Sequence, residues 1–326
     1  MHHQADGYDI IGDIHGSARA LVDLLLRLGY TQDGPAFYHP SRKVIFVGDI
    51  VDRGPHIRTA LKIVKTMVDS GQAYCLLGNH ELNSVAHATY AEHEDADARF
   101  LRKKSNNSVR ADKETTKQFG KFQEEWIDYI KWFKTLPLFL DFDTFRVVHA
   151  CWDHVAVQDV RRKSGCDEAT LADVIPSLVK GDRQLTKSVD RLTRGTNLRY
   201  PEGRYVVSRD GVKRSVFRTK FWADAPSTYQ DVVFQPDPLP SDLEQRELDR
   251  SEKAGLVYYP ESEKPLFFGH YWLDGRPRPQ RHNLACLDYS AVKFGRLVCY
   301  RYDGESVLSD KKFVWVYVDP EAEFEF

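Results

Sequence analysis

Five short apolar runs in the chain are each followed by side chains that can bind a metal ion. They are Asp13 and His15 in IIGDIHG, Asp49 in VIFVGDIVDRG, Asn79 in AYCLLGNHE, His149 in FRVVHA and His270 in PLFFGH. Carboxylate, imidazole and amide oxygen together suit divalent ions such as Mn, Fe, Zn, Co or Mg. Two such ions roughly 3.5–4 Å apart can clamp an in-line displacement at phosphorus. Asp49 is the natural bridge, because its carboxylate has two oxygens and it lies between the other ligands in chain order. Taken singly, an Asp-x-His pair is usually a solvated turn, and a lone Asn or His is usually a turn former or a satisfied core residue. Their joint placement after apolar runs separates these positions from such residues.

The elements that must hold them are buried strands. Parallel strands covered on both faces read as continuous apolar runs, and α/β sheets place ligands at the open carboxyl edge of those strands. The pattern predicts a strand over 8–11, a metal loop, and a helix from about Ser17, as N-cap, to Leu28, ended by Gly29. The scheme repeats with a strand over 44–47, a loop, and a helix over 57–70 ended near Gly71; a third strand over 74–77 delivers Asn79 and His80. Such βαβ units imply a parallel core sheet with right-handed crossovers. Gly12, Gly16, Gly48, Gly54 and Gly78 frame the ligands where the chain turns sharply. Residues 82–136 read as helical, with a charged middle over 92–104 and the aromatic end FGKFQEEWIDYIKWFKTLP as either a face packed on the sheet or a groove wall. The segments LVYY, PLFFGH, NLACLDYS, RLVCYRYDG and KKFVWVYV predict a second, mixed or antiparallel sheet. DPEAEFEF reads as a frayed acidic tail.

The order GDIHG, GDIVDRG, GNHE, VHA, FFGH resembles the calcineurin-like metallophosphoesterase superfamily. More narrowly it resembles the branch that holds the serine/threonine phosphoprotein phosphatases and the symmetrical diadenosine tetraphosphatases. The likeness covers about 1–150 and 260–300. It implies an α/β fold, a two-sheet αββα sandwich with the metal site at the carboxyl ends of the strands. That fold is expected as one domain over 1–326 with an inserted cap or substrate region at about 155–260. It also implies two divalent metals, Mn first among them: Asp13, His15 and Asp49 to one ion, and Asp49, Asn79, His149 and His270 to the other. In the same pattern Arg53, with Asn79 and His80, grips the substrate phosphate, and a planar guanidinium suits two phosphoryl oxygens at once. His80 matches the general acid, Asp52 the carboxylate that orients it, and the nucleophile is a hydroxide bridging the metals. Ala150 stands where the phosphoprotein phosphatases usually have glycine, and Tyr271 and Trp272 follow His270 in place of a second histidine. The tetraphosphatases often carry alanine at the place of Asp52, so the aspartate tilts the reading toward a phosphomonoesterase. The alternatives are hydrolysis of a phosphoanhydride or diester, in dinucleoside polyphosphates, RNA ends or cyclic nucleotides, and a non-catalytic binding module.

With 326 residues the chain can bury a large core, and a net charge of −2 argues neither for nor against nucleic acid. Five cysteines without a CxxC pattern, and a start that runs from MHHQADG straight toward the first strand without an apolar segment, lead us to expect a cytoplasmic protein with no membrane partner. Cys151, two residues from His149, reads as a packing residue or a redox sensor. His2, His3, His39, His56, His87, His93, His154 and His282 have no comparable context, and Asn106 in NNS matches a glycosylation acceptor that such a protein would not use.

Residues 183–222 reverse the overall charge balance, with eleven Lys and Arg against three Asp and Glu, interleaved with Tyr200, Tyr205, Phe217, Phe221 and Trp222. This stretch reads as a cap that draws in a polyanionic substrate such as a phosphoprotein or nucleotide, as a base-stacking surface for nucleic acid, or as a solvated hairpin around Asp210-Gly211. The resemblance implies a second phosphate-binding arginine here, among Arg194, Arg199, Arg214 and Arg218. The stretch FQPDPLPSDLEQRELDRSEK that follows reads as an exposed connector.

Overall fold

A computed structural model describes residues 5–92, 100, 112–207, 213–234, 239–292, 295–319 and 324. His2, His3, His93, nearly all of the charged stretch 92–104, Asn106, the Asp210-Gly211 turn and most of the acidic tail lie outside them.

The first apolar runs form parallel strands as their composition requires. β1 (Gly7–Ile11) pairs with β4 (Arg42–Phe46), with Ile10 opposite Ile45, and β4 pairs with β5 (Ala73–Cys75). The hairpin of β2 (Thr31–Asp33) and β3 (Ala36–Tyr38) lies between the first helix and β4. On the other side of β1, the antiparallel β15 (Arg296–Tyr302) carries β14 (Asp288–Tyr289) and β16 (Phe313–Tyr317), completing a six-stranded sheet. A second, mixed sheet runs β13 (Leu284–Cys286), β12 (Leu266–Phe268), β7 (Arg146–Val148), β6 (Phe139–Asp141), in which β12 is parallel to both β13 and β7.

Alternation along these strands builds the sandwich. Ile10 and Ile45 of the first sheet meet Leu140, Val147, Phe267 and Ala285 of the second in one buried layer. Their neighbours Ile11, Val44 and Phe46 join the helix residues Leu21, Leu24, Leu61 and Val64 in another. These belong to α1 (Ala18–Arg27) and α2 (Ile57–Asp69). On the outer face of the second sheet, Phe139, Val148, Leu266 and Phe268 cluster with Trp152, Val160, Leu171 and Leu185 from helices at His154–Ser164, Leu171–Val179 and Arg183–Arg194. The two packed sheets with helices outside are the expected αββα layers.

Five local expectations are corrected. RLVCYRYDG and KKFVWVYV, expected in the second sheet, are β15 and β16 and extend the first, because β15 pairs antiparallel with β1. Ser17 precedes α1 but makes no capping hydrogen bond, and its hydroxyl is buried without a partner. LVYY is not a strand; Tyr259 is buried there and its hydroxyl donates to the carbonyl of Lys264. The third strand ends at Cys75, so Asn79 and His80 open α3 (Asn79–Glu92) rather than leave a strand directly. The supposed connector after Phe234 buries Leu239, Leu243 and Leu248 in a small core with Leu198, Tyr200, Phe217, Tyr229 and Val232. That core sits against β8 (Thr196–Arg199) paired with β11 (Val216–Thr219), near the short ladder of β9 (Val206–Val207) and β10 (Lys213–Arg214).

Candidate dinuclear metal centre

The six residues converge from both sheets onto one rim. Asp13, Asp49 and Asn79 follow β1, β4 and β5 of the first sheet; His149 and His270 follow the parallel pair β7 and β12 of the second. Their ligand atoms form two groups that share Asp49. His15, Asp49 and His80 lie within 4.8 Å of one another, as do Asp49, His149 and His270. Asp13 stands just outside both groups, its carboxylate accepting from the backbone N–H of His270 at 3.1 Å. The Asn79 Oδ1 lies 3.2 Å from His149 Nε2.

The imidazoles are oriented for ligation. His15 Nδ1 is 2.8 Å from the carbonyl of Val51, and His149 Nδ1 is 2.9 Å from that of Val47. A carbonyl only accepts, so each Nδ1 carries a hydrogen and each Nε2 is turned toward Asp49, the orientation typical of metal-binding histidines. His270 Nε2 is buried with no hydrogen-bond partner. Burial holds His15 and His270 neutral, well below the usual imidazole range, helped by Arg53 and His80 at the first and by Arg218 and His149 at the second. Burial opposes ionisation of Asp49 too, but His149 and His80 outweigh it and keep the carboxylate ionised. Asp13 is pushed well up by burial, Asp288 and Asp49. Buried carboxylates pressed together beside an orphaned imidazole nitrogen are what a pair of cations would satisfy, so the residues present fit the group.

The backbone around these groups is strained. His15, Asp49, Asp52, Arg53 and His270 all have φ between 43° and 69°, a left-handed conformation that costs roughly 1–2 kcal/mol per non-glycine residue. Glu81 braces the turn around Asp49. Its carboxylate accepts from the N–H groups of Asp49 (2.9 Å), Ile50 (2.8 Å), Val51 (3.1 Å) and Gly78 (3.1 Å). Close approach fixes two glycines: a Cβ on Gly48 would stand 2.5 Å from the Gly78 nitrogen, and one on Gly54 would stand 1.9 Å from the His15 carbonyl oxygen.

Beside the ligands, His80 Nδ1 lies 2.6 Å from Asp52 Oδ2, and Arg53 Nη2 is 3.4 Å from His80 Nε2. Of the four arginines from the basic stretch, Arg218 reaches the centre: it donates Nη1 to the carbonyl of His270 at 2.9 Å, and the like charge of Arg53 is felt there. Arg194 pairs with Asp190 and donates to Asn83 Oδ1 at 2.8 Å, and its charge too is felt at His270, while Arg199 and Arg214 are exposed. Two further cations of that stretch are engaged by neighbouring carboxylates: Arg191 pairs with Asp153 and Arg204 with Asp242. Cys151 is fully buried and burial pushes its thiol up, which suits packing rather than redox sensing.

Three contributors escape the sequence reading: Glu81, Asp288 and Thr115. Asp288 follows the apolar run NLACL, the same signal that marked the other ligand positions. Glu81 adjoins His80 but gives no sign of its four backbone partners, and Thr115 carries no local signal at all.

A family model described as Calcineurin-like phosphoesterase matches residues 8–211. The bis(5'-nucleosyl)-tetraphosphatase PrpE (asymmetrical) of Oceanobacillus iheyensis is 36% identical over 111 residues, covering 31% of this chain and 44% of that protein. The protein of the same description from Bacillus cereus is 47% identical over 75 residues, 22% of this chain and 30% of its own. The chain therefore spans less than half the length of these curated relatives. A protein serine/threonine phosphatase from Saccharomyces cerevisiae superimposes with a TM-score of 0.46 at 15% identity, covering 98% of this chain and 82% of that one.

Proposed function

Because the chain belongs to the calcineurin-like phosphoesterase family, we propose that it is a two-metal hydrolase of phosphoric esters, acting on phosphomonoesters. The observation that carries this reading is the Asp52–His80 pair at 2.6 Å beside Arg53. It provides an oriented proton donor for a poor leaving group next to an anion clamp.

In this reading His15, Asp49 and Asp13 hold one ion and Asp49, Asn79, His149 and His270 the other, with Mn the first choice among divalent ions. When bound, the ions neutralise phosphoryl oxygens and lower the pKa of water near neutral pH. The chain's own groups do the rest. Arg53 and Arg218 bring two like charges close together, an arrangement that a phosphoryl group between them would relieve. Asp52 accepts the Nδ1 hydrogen of His80, so that Nε2 is left to hand its proton to the leaving oxygen. Asn79, whose Oδ1 lies beside His149 Nε2, would add an amide to the groups that hold the second ion and the phosphate.

We also read an insertion within one domain, narrowed from the expected 155–260 to about 196–256: the helices His154–Ser164, Leu171–Val179 and Arg183–Arg194 pack on the main core, and the residues after them have a separate small core around Phe217 and Tyr229. Among the described residues no helix is long and apolar enough to cross a membrane, and all five cysteines are free thiols, which supports a reducing compartment such as the cytoplasm.

A second reading is favoured by the relatives named as asymmetrical tetraphosphatases: hydrolysis of dinucleoside tetraphosphate. Product analysis with added Mn separates the two. Inorganic phosphate from a phosphopeptide or an alkyl phosphate is the expected result. Nucleotide products from dinucleoside tetraphosphate, without phosphate release from monoesters, would replace it with the second reading.

A further inference from the structure

The segment between α3 and β6 reads in sequence as packing or groove wall, yet one short helix of it reaches into the centre. Helix Lys113–Phe119 places Thr115, 3% exposed, against Asp52. The Thr115 hydroxyl donates to Asp52 Oδ1 at 2.6 Å and accepts from the backbone N–H of Asp52 at 3.1 Å. The other oxygen, Oδ2, is the one bonded to His80. One turn on, Gln118 holds the same loop from its far end. Its Oε1 accepts from the N–H of Ile57 at 2.8 Å, and its Nε2 donates to the carbonyl of Gly54 at 3.3 Å. Asp52, with φ of 68°, is the first of these attachments, and Arg53, with φ of 69°, lies between them.

A carboxylate bonded through one oxygen only can swing about its χ2 torsion, which is broad and roughly two-fold. Bonding both oxygens and the residue's own N–H removes that freedom. We propose that Thr115 is a positioning residue for proton donation: through Asp52 it fixes the plane of the His80 ring, and helix Lys113–Phe119 braces the loop that carries both the acid's partner and the phosphate arginine. The inference rests on the phosphomonoesterase reading above. In the step concerned, the proton on His80 Nε2 passes to the leaving oxygen as the P–O bond breaks, and water later restores it. Thr115 keeps its hydrogen throughout.

The test compares Thr115→Val with wild type on two substrates of the Mn-loaded protein. One is p-nitrophenyl phosphate, whose leaving group needs little protonation; the other is an alkyl phosphate such as a phosphoserine peptide, whose leaving group depends on it. The expected result is a fall of about tenfold in kcat on the alkyl ester, with the aryl ester within about twofold of wild type. Thr115→Ser should restore the alkyl rate to within about threefold, and adding Thr115→Val to His80→Asn should bring no further loss, since both changes act through one group. Bound Mn and the thermal unfolding midpoint, measured on each variant, report on the scaffold separately from turnover. Equal losses on both esters, failure of serine to rescue, or wild-type rates in Thr115→Val each overturn the proposal. If Thr115→Val does not fold, Thr115→Ala carries the same comparison. Wild-type protein that hydrolyses neither ester overturns the functional reading and this inference together, whereas turnover by wild type with an unaffected variant removes Thr115 alone.

Discussion

At the strand ends Asp13, Asp49, Asp52, Glu81 and Asp288 are at most 6% exposed, whereas none of the described carboxylates across residues 196–256 is buried. There Arg204 pairs with Asp242 in solvent, and Asp231 accepts N–H groups at the start of a short helix. The apolar groups divide in the same way. The strand ends stand on the main core, while the inserted segment has its own small cluster around Tyr229 and Phe217. A buried carboxylate is costly unless it is hydrogen-bonded or faces a cation, so the first region tolerates its charges only because each meets a donor or a prospective metal. The second region keeps its carboxylates hydrated, sends Arg218 to the centre, and is held by ordinary burial. Substitutions should therefore have very unequal effects in the two regions.

Asp49→Asn is expected to have the largest effect, taking turnover of every phosphate ester below detection, because both ligand groups share that carboxylate. His80→Asn comes next. It should slow an alkyl phosphate by about a hundredfold or more while leaving p-nitrophenyl phosphate much less affected; wild-type rates on the alkyl ester would remove His80 from the role of acid. Asp231→Ala marks the other end. Its carboxylate caps the helix Tyr229–Val232, with Thr228 N–H at 2.8 Å and Ser227 N–H at 2.9 Å. Loss of such a cap costs about 1 kcal/mol, or roughly 2–4 °C in thermal midpoint, with catalysis unchanged. Those N–H groups hold Asp231 down to about 2 from 3.8. A depressed carboxylate stabilises the fold above its unfolded value, so the gap between wild type and Asp231→Ala should narrow as pH falls from about 4 toward 2. A large catalytic defect in Asp231→Ala would blur the contrast between the regions.

Much of the rim was legible because its signal is local. An apolar run sets a buried strand, and the polar residue just past it must sit at the sheet's carboxyl edge, as Asp13, Asp49, His149 and His270 do. Asn79 reaches the same rim although a helix carries it. The supports were not legible, because they depend on contacts across long stretches of chain. Thr115 meets Asp52 from 63 residues away, and Glu81 meets Ile50 from 31. Arg218 could be named only as one of four, since which arginine reaches His270 depends on how β8 and β11 pair. The stretch 239–248 misled because its leucines are spaced too sparsely to show a period, yet each finds the small core.

The central claim is that two divalent ions share Asp49 at this rim. The most direct measurement is equilibrium dialysis of the purified, metal-stripped chain against Mn, with bound metal counted per chain. The account predicts two equivalents for wild type and loss of both in Asp49→Asn. One equivalent or none in wild type, or two retained without the Asp49 carboxylate, would contradict it.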